Sequence, residues 1–146
     1  MIDLPLELRF ALRCNDMSRR DCEATATPYD PPPVIKLFNS VGAATWLVTE
    51  LAEDGDTLFG LADLGFGCPE LGYFSLSEIG SVKLPYGLFI ERDIAFESQH
   101  PLSIWAEWSR RAGSILWAQT LLRRASATGD LPDLPHRPDK PNGGWN

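Results

Sequence analysis

Residues 34–64 read VIKLFNSVGAATWLVTELAEDGDTLFGLADL, and this stretch decides the fold. It contains three runs rich in β-branched, aliphatic and aromatic residues, namely VIKLF (34–38), TWLVTEL (45–51) and LFGLADL (58–64). Such runs are typical of β-strands. Short turns separate them, and the second turn contains Asp54-Gly55, a strong hairpin signal. Three strands joined by short turns predict an antiparallel meander.

Two further strand candidates follow this meander. LGYFSL (71–76) is the first, and it runs into Ser75-x-x-Glu78, a capping-box pattern that predicts a short helix to about Val82. FIERDIAF (89–96) is the second. Its apolar side chains alternate with charged ones, which predicts a strand with one face in solvent.

Helical spacing appears at both ends of the chain. Residues 4–14 place apolar side chains on one stripe, with Asp3 as a plausible N-cap. A second helix is predicted from Pro101 to about Ala125, with Gly113 as a weak point.

These elements predict an α+β fold. We expect a mainly antiparallel sheet of four to six strands, packed on one face by the N-terminal and C-terminal helices. Residues 1–128 should form a single domain. Residues 129–146 contain four prolines and three glycines without periodicity, which predicts an extended or disordered tail.

The charge of the chain is negative and unevenly placed. Residues 50–97 hold ten acidic and two basic residues, a net −8, while the whole chain carries −7. This disfavours a broad nucleic-acid surface, because phosphate binding requires clustered Lys and Arg. It is compatible with binding a basic surface on another protein, and equally with ordinary solubility charge.

The remaining composition favours a cytoplasmic protein. No window approaches the length of a membrane helix, and the first residues lack a basic region before an apolar run. The three cysteines, Cys14, Cys22 and Cys68, include no metal-type C-x-x-C pair, so free thiols are expected.

The glycine-rich turn at residues 65–70 raises two hypotheses for an enzyme site, a phosphate-binding loop and a cysteine nucleophile. A phosphate loop is excluded because Glu70 stands where a dinucleotide motif has its third glycine, and no GK[ST] follows. A thiol nucleophile would pair Cys68 with His100, but Asp63 and Glu70 nearby would disfavour the thiolate. A small buried cysteine is the simpler interpretation.

Carboxylates offer an alternative site. If the strands around Asp54-Gly55 pair, Glu50 and Asp63 can lie near each other, and Glu70 would join them from the loop. Such a group could bind a divalent cation or perform acid–base work, although Asp63 and Glu70 bracing the loop amides is favoured. A zinc site from the cysteines and His100 matches no known spacing, so neither a metal nor a cofactor is predicted.

The last helix combines tryptophan and arginine, the residues that dominate protein-interface hot spots. The residues concerned are Trp108, Arg110, Arg111 and Trp117. They could also stack single-stranded nucleic acid, if a basic groove surrounds them.

Four stretches resemble a known bacterial family. They are PPPVIKLFNSVGAATWLVTEL, FGLADLGFGCPELGYFSLSEI, GLFIERDIAFES and PLSIWAEWSRRAG. In this order they resemble the family catalogued as domain of unknown function 2958, over about residues 31–113 and arguably the first helix. The resemblance implies a small soluble protein carried on plasmids, conjugative elements and phages. It supplies no catalytic residues, and Ser114 to Asn146 forms an extension.

Taken together, these observations favour a non-enzymatic accessory protein of mobile elements that binds another macromolecule. An acidic inhibitor of a host nucleic-acid-targeting defence, of anti-CRISPR or anti-restriction type, is the leading hypothesis, with a protein as partner. Its acidic contact residues would be Glu91, Asp93 and Glu97, together with the tryptophan and arginine residues of the last helix. The alternatives are a metal-assisted enzyme at Glu50, Asp63 and Glu70, and a single-stranded nucleic-acid binder.

Overall fold

A computed structural model describes residues 2–128 and confirms the α+β class. The helices are α1 (Leu6–Ala24), α2 (Leu76–Ser81), α3 (Leu102–Ala112) and α4 (Ile115–Thr128). The strands are β1 (Ile35–Phe38), β2 (Thr45–Leu51), β3 (Thr57–Asp63), β4 (Glu70–Ser75) and β5 (Glu91–Arg92). A short 3₁₀ turn spans Pro85–Gly87. The predicted tail, residues 129–146, lies outside the described residues.

The five strands form one antiparallel sheet in the order β4-β3-β2-β1-β5, which confirms the predicted meander. A bulge interrupts the β2–β3 pairing between Val48 and Glu50. Gly60 faces this bulge, and a Cβ there would lie 1.9 Å from the Leu47 carbonyl oxygen. Only glycine therefore fits at that position of β3.

The turn between β2 and β3 is organised by Asp54. Its carboxylate accepts hydrogen bonds from the amides of Asp56 and Thr57, both 2.8 Å, and from the Thr57 hydroxyl at 2.6 Å. Gly55 follows with φ +73°, which favours glycine. The Thr57 hydroxyl and the two amides hold the pKa of Asp54 at about 2, below the usual 3.8.

The contribution of Asp54 to stability should vanish in acid. A folded-state pKa below the unfolded value stabilises the fold above pH 3.8, and this is lost as the pH falls toward 2. We therefore expect Asp54→Asn to lower the urea midpoint at pH 7 and to converge with the unchanged chain near pH 2. Glu53→Gln, in the same turn, is the matched control and should show no such convergence. A pH-independent Asp54→Asn effect would contradict this account.

The capping box is also confirmed. The Ser75 hydroxyl accepts a hydrogen bond from the Glu78 amide at 3.1 Å and so begins α2. Asp56 adds to this junction, because its carboxylate accepts from the Ser75 hydroxyl at 2.6 Å and the Ser77 amide at 2.8 Å. The turn between β2 and β3 is thereby joined to the start of α2.

The helices cover both faces of the sheet, so the prediction of packing on one face was wrong. Face 1 places Val48 and Leu58 against Leu12 of α1. Face 2 places Leu47 and Leu61 against the apolar sides of α3 and α4. Adjacent residues of β2 thus point into different cores, and all seven residues of that strand are buried. A strand whose residues are all buried requires cover on both sides.

Helix α1 runs to Ala24, beyond the predicted end, and it begins after Pro5 without a side-chain cap from Asp3. Because α1 is this long, it lies beside residues 49–51 of β2, which have no partner residue in β1. The Asn15 amide donates to the Thr49 carbonyl at 2.9 Å, and Arg13 donates to the Leu51 carbonyl at 2.7 Å. Side chains of α1 therefore satisfy backbone groups that a strand would otherwise pair.

Two predicted elements are shorter than expected. The strand predicted over 89–96 is limited to β5, because the Asp93 carboxylate accepts the Ala95 amide at 3.0 Å and turns the chain. Ile94 consequently points into solvent, 83% exposed. The C-terminal helix is two helices, because Gly113 adopts a left-handed conformation at φ +91° and ends α3.

Candidate functional site

The three carboxylates of the alternative enzyme site do not converge, which corrects that prediction. In the β2–β3 register Glu50 lies opposite Phe59, whereas Asp63 lies opposite Thr45. Phe59 and Asp63 are separated by roughly 13 Å along the strand. Glu70 pairs with Ala62 and is exposed, while Asp63 is buried. Among residues 2–128, no group of three or more His, Cys, Asp or Glu side chains could hold a metal ion.

Glu50 is instead neutralised by α1. Arg19 reaches from that helix and forms two hydrogen bonds with the carboxylate, one of them 3.3 Å long, and the Thr49 hydroxyl donates to it as well. The guanidinium lies 4.8 Å from the Phe59 ring centroid and 5.4 Å from that of Tyr29. Burial would lower the pKa of Arg19, but the hydrogen bond and charge of Glu50 outweigh it and raise that pKa above its usual value. This arrangement holds α1 to the sheet.

Asp63 holds together two segments that are distant in sequence. One carboxylate oxygen accepts the Gly65 amide and the other accepts the Ile115 amide, both at 2.9 Å. Gly65 belongs to the glycine-rich turn after β3, and Ile115 is the first residue of α4. A buried carboxylate at a helix N-terminus satisfies an amide that lacks a helical partner. Asp63 thus fastens α4 to the end of β3.

The predicted acidic trio lies at the β5 edge of the sheet. Glu91 and Glu97 are exposed, but Asp93 is partly buried and lies 3.7 Å from the Lys36 ammonium. Lys36 is buried on β1 and donates to the Gln119 side chain of α4 at 2.8 Å. Burial lowers the pKa of Lys36, and Asp93 opposes that effect. One of the three acids is therefore committed to an internal ion pair.

A cleft of about 570 Å³ lies beside this pair, between residues 93–100 and α4. Its walls include Phe96 and Trp105, and the His100 ring nitrogen lies 3.3 Å from the Ser126 hydroxyl. Cys68, considered as a partner for His100, is not among the residues lining the cleft, and it is exposed, so the prediction of a buried cysteine was wrong. This arrangement therefore does not support the hypothesis of a Cys68 nucleophile with His100 as its base. Cys14 and Cys22 are free and partly buried.

The tryptophan and arginine residues separate into two groups. Trp108 is only 3% exposed and belongs to the face 2 core, so its prediction as a surface contact was wrong. Trp117 is 52% exposed on the first turn of α4. Arg110 is exposed at the end of α3, whereas Arg111 donates to Glu107 at 2.6 Å.

Trp117 is part of a larger exposed apolar group. Asp63 bonds both to Gly65 and to Ile115, so the residues flanking these two amides are brought to one corner of the molecule. We call the exposed apolar residues there the apolar corner, formed by Leu64, Phe66, Leu116 and Trp117. Phe66 is the most exposed of them, at 83%. The sequence contains a sign of this surface, because two large apolar residues, Leu64 and Phe66, flank Gly65 at the glycine-rich turn.

The comparisons with known proteins bear on the family alone. Searches of the curated proteins and of the solved structures found no match. Within residues 2–128, none of the helices has both the length and the apolar character needed to cross a membrane. The family profile described as protein of unknown function (DUF2958) matches residues 4–116, including α1 and the whole sheet. The chain therefore belongs to the DUF2958 family.

Proposed function

We propose that the protein acts by binding another protein, and that the apolar corner is its contact surface. One observation carries this proposal: four large apolar side chains, including a Trp and a Phe, are exposed on residues that closely follow or flank the Gly65 and Ile115 amides, both of which bond to Asp63. Clustered exposed apolar residues are uncommon on monomeric proteins unless they serve an interaction. Aromatic side chains are enriched at protein–protein interfaces and often dominate their binding energy.

The setting of this function is that of an accessory protein of plasmids, conjugative elements or phages, as the family resemblance implies. The partner we propose is a host defence protein that acts on nucleic acid, because such proteins carry a basic surface that an acidic chain can occupy. Not all ten acidic residues within residues 50–97 are available to contact a basic surface. Glu50, Asp54, Asp56 and Asp63 bond to groups of the chain itself, and Asp93 pairs with Lys36. The exposed acids that remain include Glu91 and Glu97 of the predicted contact set, together with Glu53, Glu70 and Glu78.

The metal-assisted and nucleic-acid alternatives have less support. The carboxylates of the first lie apart or are bonded internally. The second loses Trp108 to the core, which leaves Trp117 without a second aromatic residue from the predicted set. Neither arrangement favours a second candidate function.

Affinity purification from a host carrying the native element tests the proposal. The tagged chain and a Phe66→Ala/Trp117→Ala variant would be compared, and any protein captured only by the former identified and purified. We expect the variant to bind that protein at least tenfold more weakly, since truncating each central aromatic typically costs about 2 kcal/mol. Tyr86→Ala, an equally exposed aromatic outside the corner, is the control. Undiminished binding by the double variant would contradict the proposal.

A charge-reversal variant distinguishes the contribution of the apolar corner to partner binding from that of the exposed acidic residues. Glu91→Lys/Glu97→Lys should slow association with the identified partner and make it less dependent on salt. If the reversed variant binds as before, the acidic contribution is refuted while the corner stands. If a single-stranded oligonucleotide is bound instead of a protein, with steep salt dependence, the protein-binding proposal itself fails.

A further inference from the structure

The outer edge of β4 is open and unprotected. Natural sheets shield edge strands by keeping them short or by placing Lys, Pro or bulges on them. The opposite edge follows this rule, because β5 has only two residues. In contrast β4 has six residues, ELGYFS, pairs with β3 without a register shift, and contains no Lys, Pro or bulge; its one charged residue, Glu70, is confined to its first position. Within residues 2–128, no strand lies beyond it.

Gly72 at the centre of β4 has no reason within the chain to be glycine. Its φ is not positive, and a Cβ added there would meet no atom within 4 Å. Gly60 across the ladder differs, because the β2 backbone excludes any side chain there. A glycine inside a strand reduces stability, and often marks a place where another backbone approaches closely.

The face 2 side of β4 is also uncovered. Leu71 and Tyr73 pair with Leu61 and Phe59, so they point to the same side of the sheet as α3 and α4. Both are nevertheless exposed, Tyr73 by 70%. The ring of Phe59 lies 5.0 Å from that of Tyr73, which fixes the position of the tyrosine on this surface. An incoming strand would find two apolar side chains already in place.

We propose that β4 pairs in antiparallel fashion with β4 of a second copy of this chain, joining two five-stranded sheets into one of ten. Directly opposite residues of an antiparallel pair share a face, so only registers that match residues of the same parity keep both apolar sides together. A twofold axis at Gly72 satisfies this condition. It places Leu71 opposite the partner's Tyr73, and Tyr73 opposite the partner's Leu71.

The position of the charged residue Glu70 is also compatible with this register. The single charged residue of β4, Glu70, lies opposite the partner's Phe74. The two Glu70 side chains are then roughly 14 Å apart along the strands, near the ends of the shared ladder. Gly72 lies at the axis, directly opposite the partner's Gly72. An interface of one short strand is small, so we expect a weak dimer in the micromolar range.

Sedimentation equilibrium of the full chain tests the pairing. The average mass should rise from 16.2 kDa toward twice that value as concentration increases from about 5 to about 500 µM. Leu71→Lys and Tyr73→Lys, each placing charge on the shared face, should abolish the rise. Ile94→Lys, equally exposed at the opposite edge of the sheet, should leave it intact. A chain that stays monomeric throughout overturns the proposal, as does a dimer that Tyr73→Lys leaves intact.

A disulfide test examines the register. In a background with the three native cysteines replaced by serine, Gly72→Cys places two thiols across the axis, within reach of a disulfide. We expect an oxidised dimer from Gly72→Cys and none from Ile94→Cys. Equal crosslinking of the two would refute the pairing. The dimer does not require the apolar corner, so Phe66→Ala/Trp117→Ala should still associate, which separates this proposal from the proposed function.

Discussion

Replacing Asp63 with alanine should destabilise the protein by about 2–4 kcal/mol and lower its melting temperature by roughly 10 °C. The carboxylate is buried and accepts the Gly65 and Ile115 amides. Its removal leaves both amides without their acceptor, and the buried Ile115 donor left unpaired costs about 1–3 kcal/mol, whereas the exposed Gly65 can bond to water. The N-terminus of α4 also loses a negative charge. The fastening between β3 and α4 is then gone, and with it the geometry of the apolar corner.

Two controls make the Asp63 result specific. Glu70→Ala removes an exposed acid at the start of the next strand and should change stability by less than about 0.5 kcal/mol. Asp63→Asn keeps the shape but can accept through only one oxygen, so it should fall between the other two variants. Urea unfolding followed by circular dichroism measures all three. If Asp63→Ala unfolds at the same midpoint as Glu70→Ala, the carboxylate does not fasten α4.

Sequence features with a local cause predicted the structure best. The Asp54-Gly55 turn, the Ser75 cap and the three strands of the meander form as expected, because each depends on neighbouring residues. The same locality explains the errors in element length. Asp93 turns the chain out of β5, and Gly113 ends α3. Asp93 acts through its side-chain carboxylate and Gly113 through its backbone conformation, but the surrounding apolar periodicity concealed both effects.

Contacts between residues that are distant in sequence were harder to predict from the sequence. Glu50 and Asp63 lie in the predicted hairpin, but only the register shows that they are far apart. Their partners, Arg19 and Ile115, come from helices at opposite ends of the chain. Likewise, β2 is buried throughout because helices cover both faces of the sheet, and periodicity alone does not reveal a second layer. Trp108 was misassigned for the same reason.

The apolar corner crosses the boundary of the family match. Leu64 and Phe66 lie within the matched residues 4–116, as does Leu116, whereas Trp117 is the first residue beyond them. Most of α4 likewise follows the match. The family portion therefore supplies the sheet and the turn, and the extension adds the tryptophan. If the corner binds the partner, partner choice should depend on this extension.

Arg19→Ala should be the most damaging single substitution on α1, at about 3–5 kcal/mol. Glu50 is 2% exposed, and Arg19 supplies the positive charge that compensates its carboxylate. Removing the guanidinium leaves a buried charge with only the Thr49 hydroxyl of its present partners. The aromatic rings of Tyr29 and Phe59 would also lose the cation that lies over them.

A neighbouring arginine and a double variant separate the buried charge from other causes. Arg20→Ala removes a largely exposed side chain paired with Asp16, and should cost less than about 1 kcal/mol. Arg19→Met/Glu50→Met removes both charges while keeping apolar volume, and should be more stable than Arg19→Ala. Urea midpoints of the three variants measure the order. If the double variant is no more stable than Arg19→Ala, the uncompensated Glu50 charge is not what destabilises the single variant, and lost packing of the Arg19 side chain accounts for the effect.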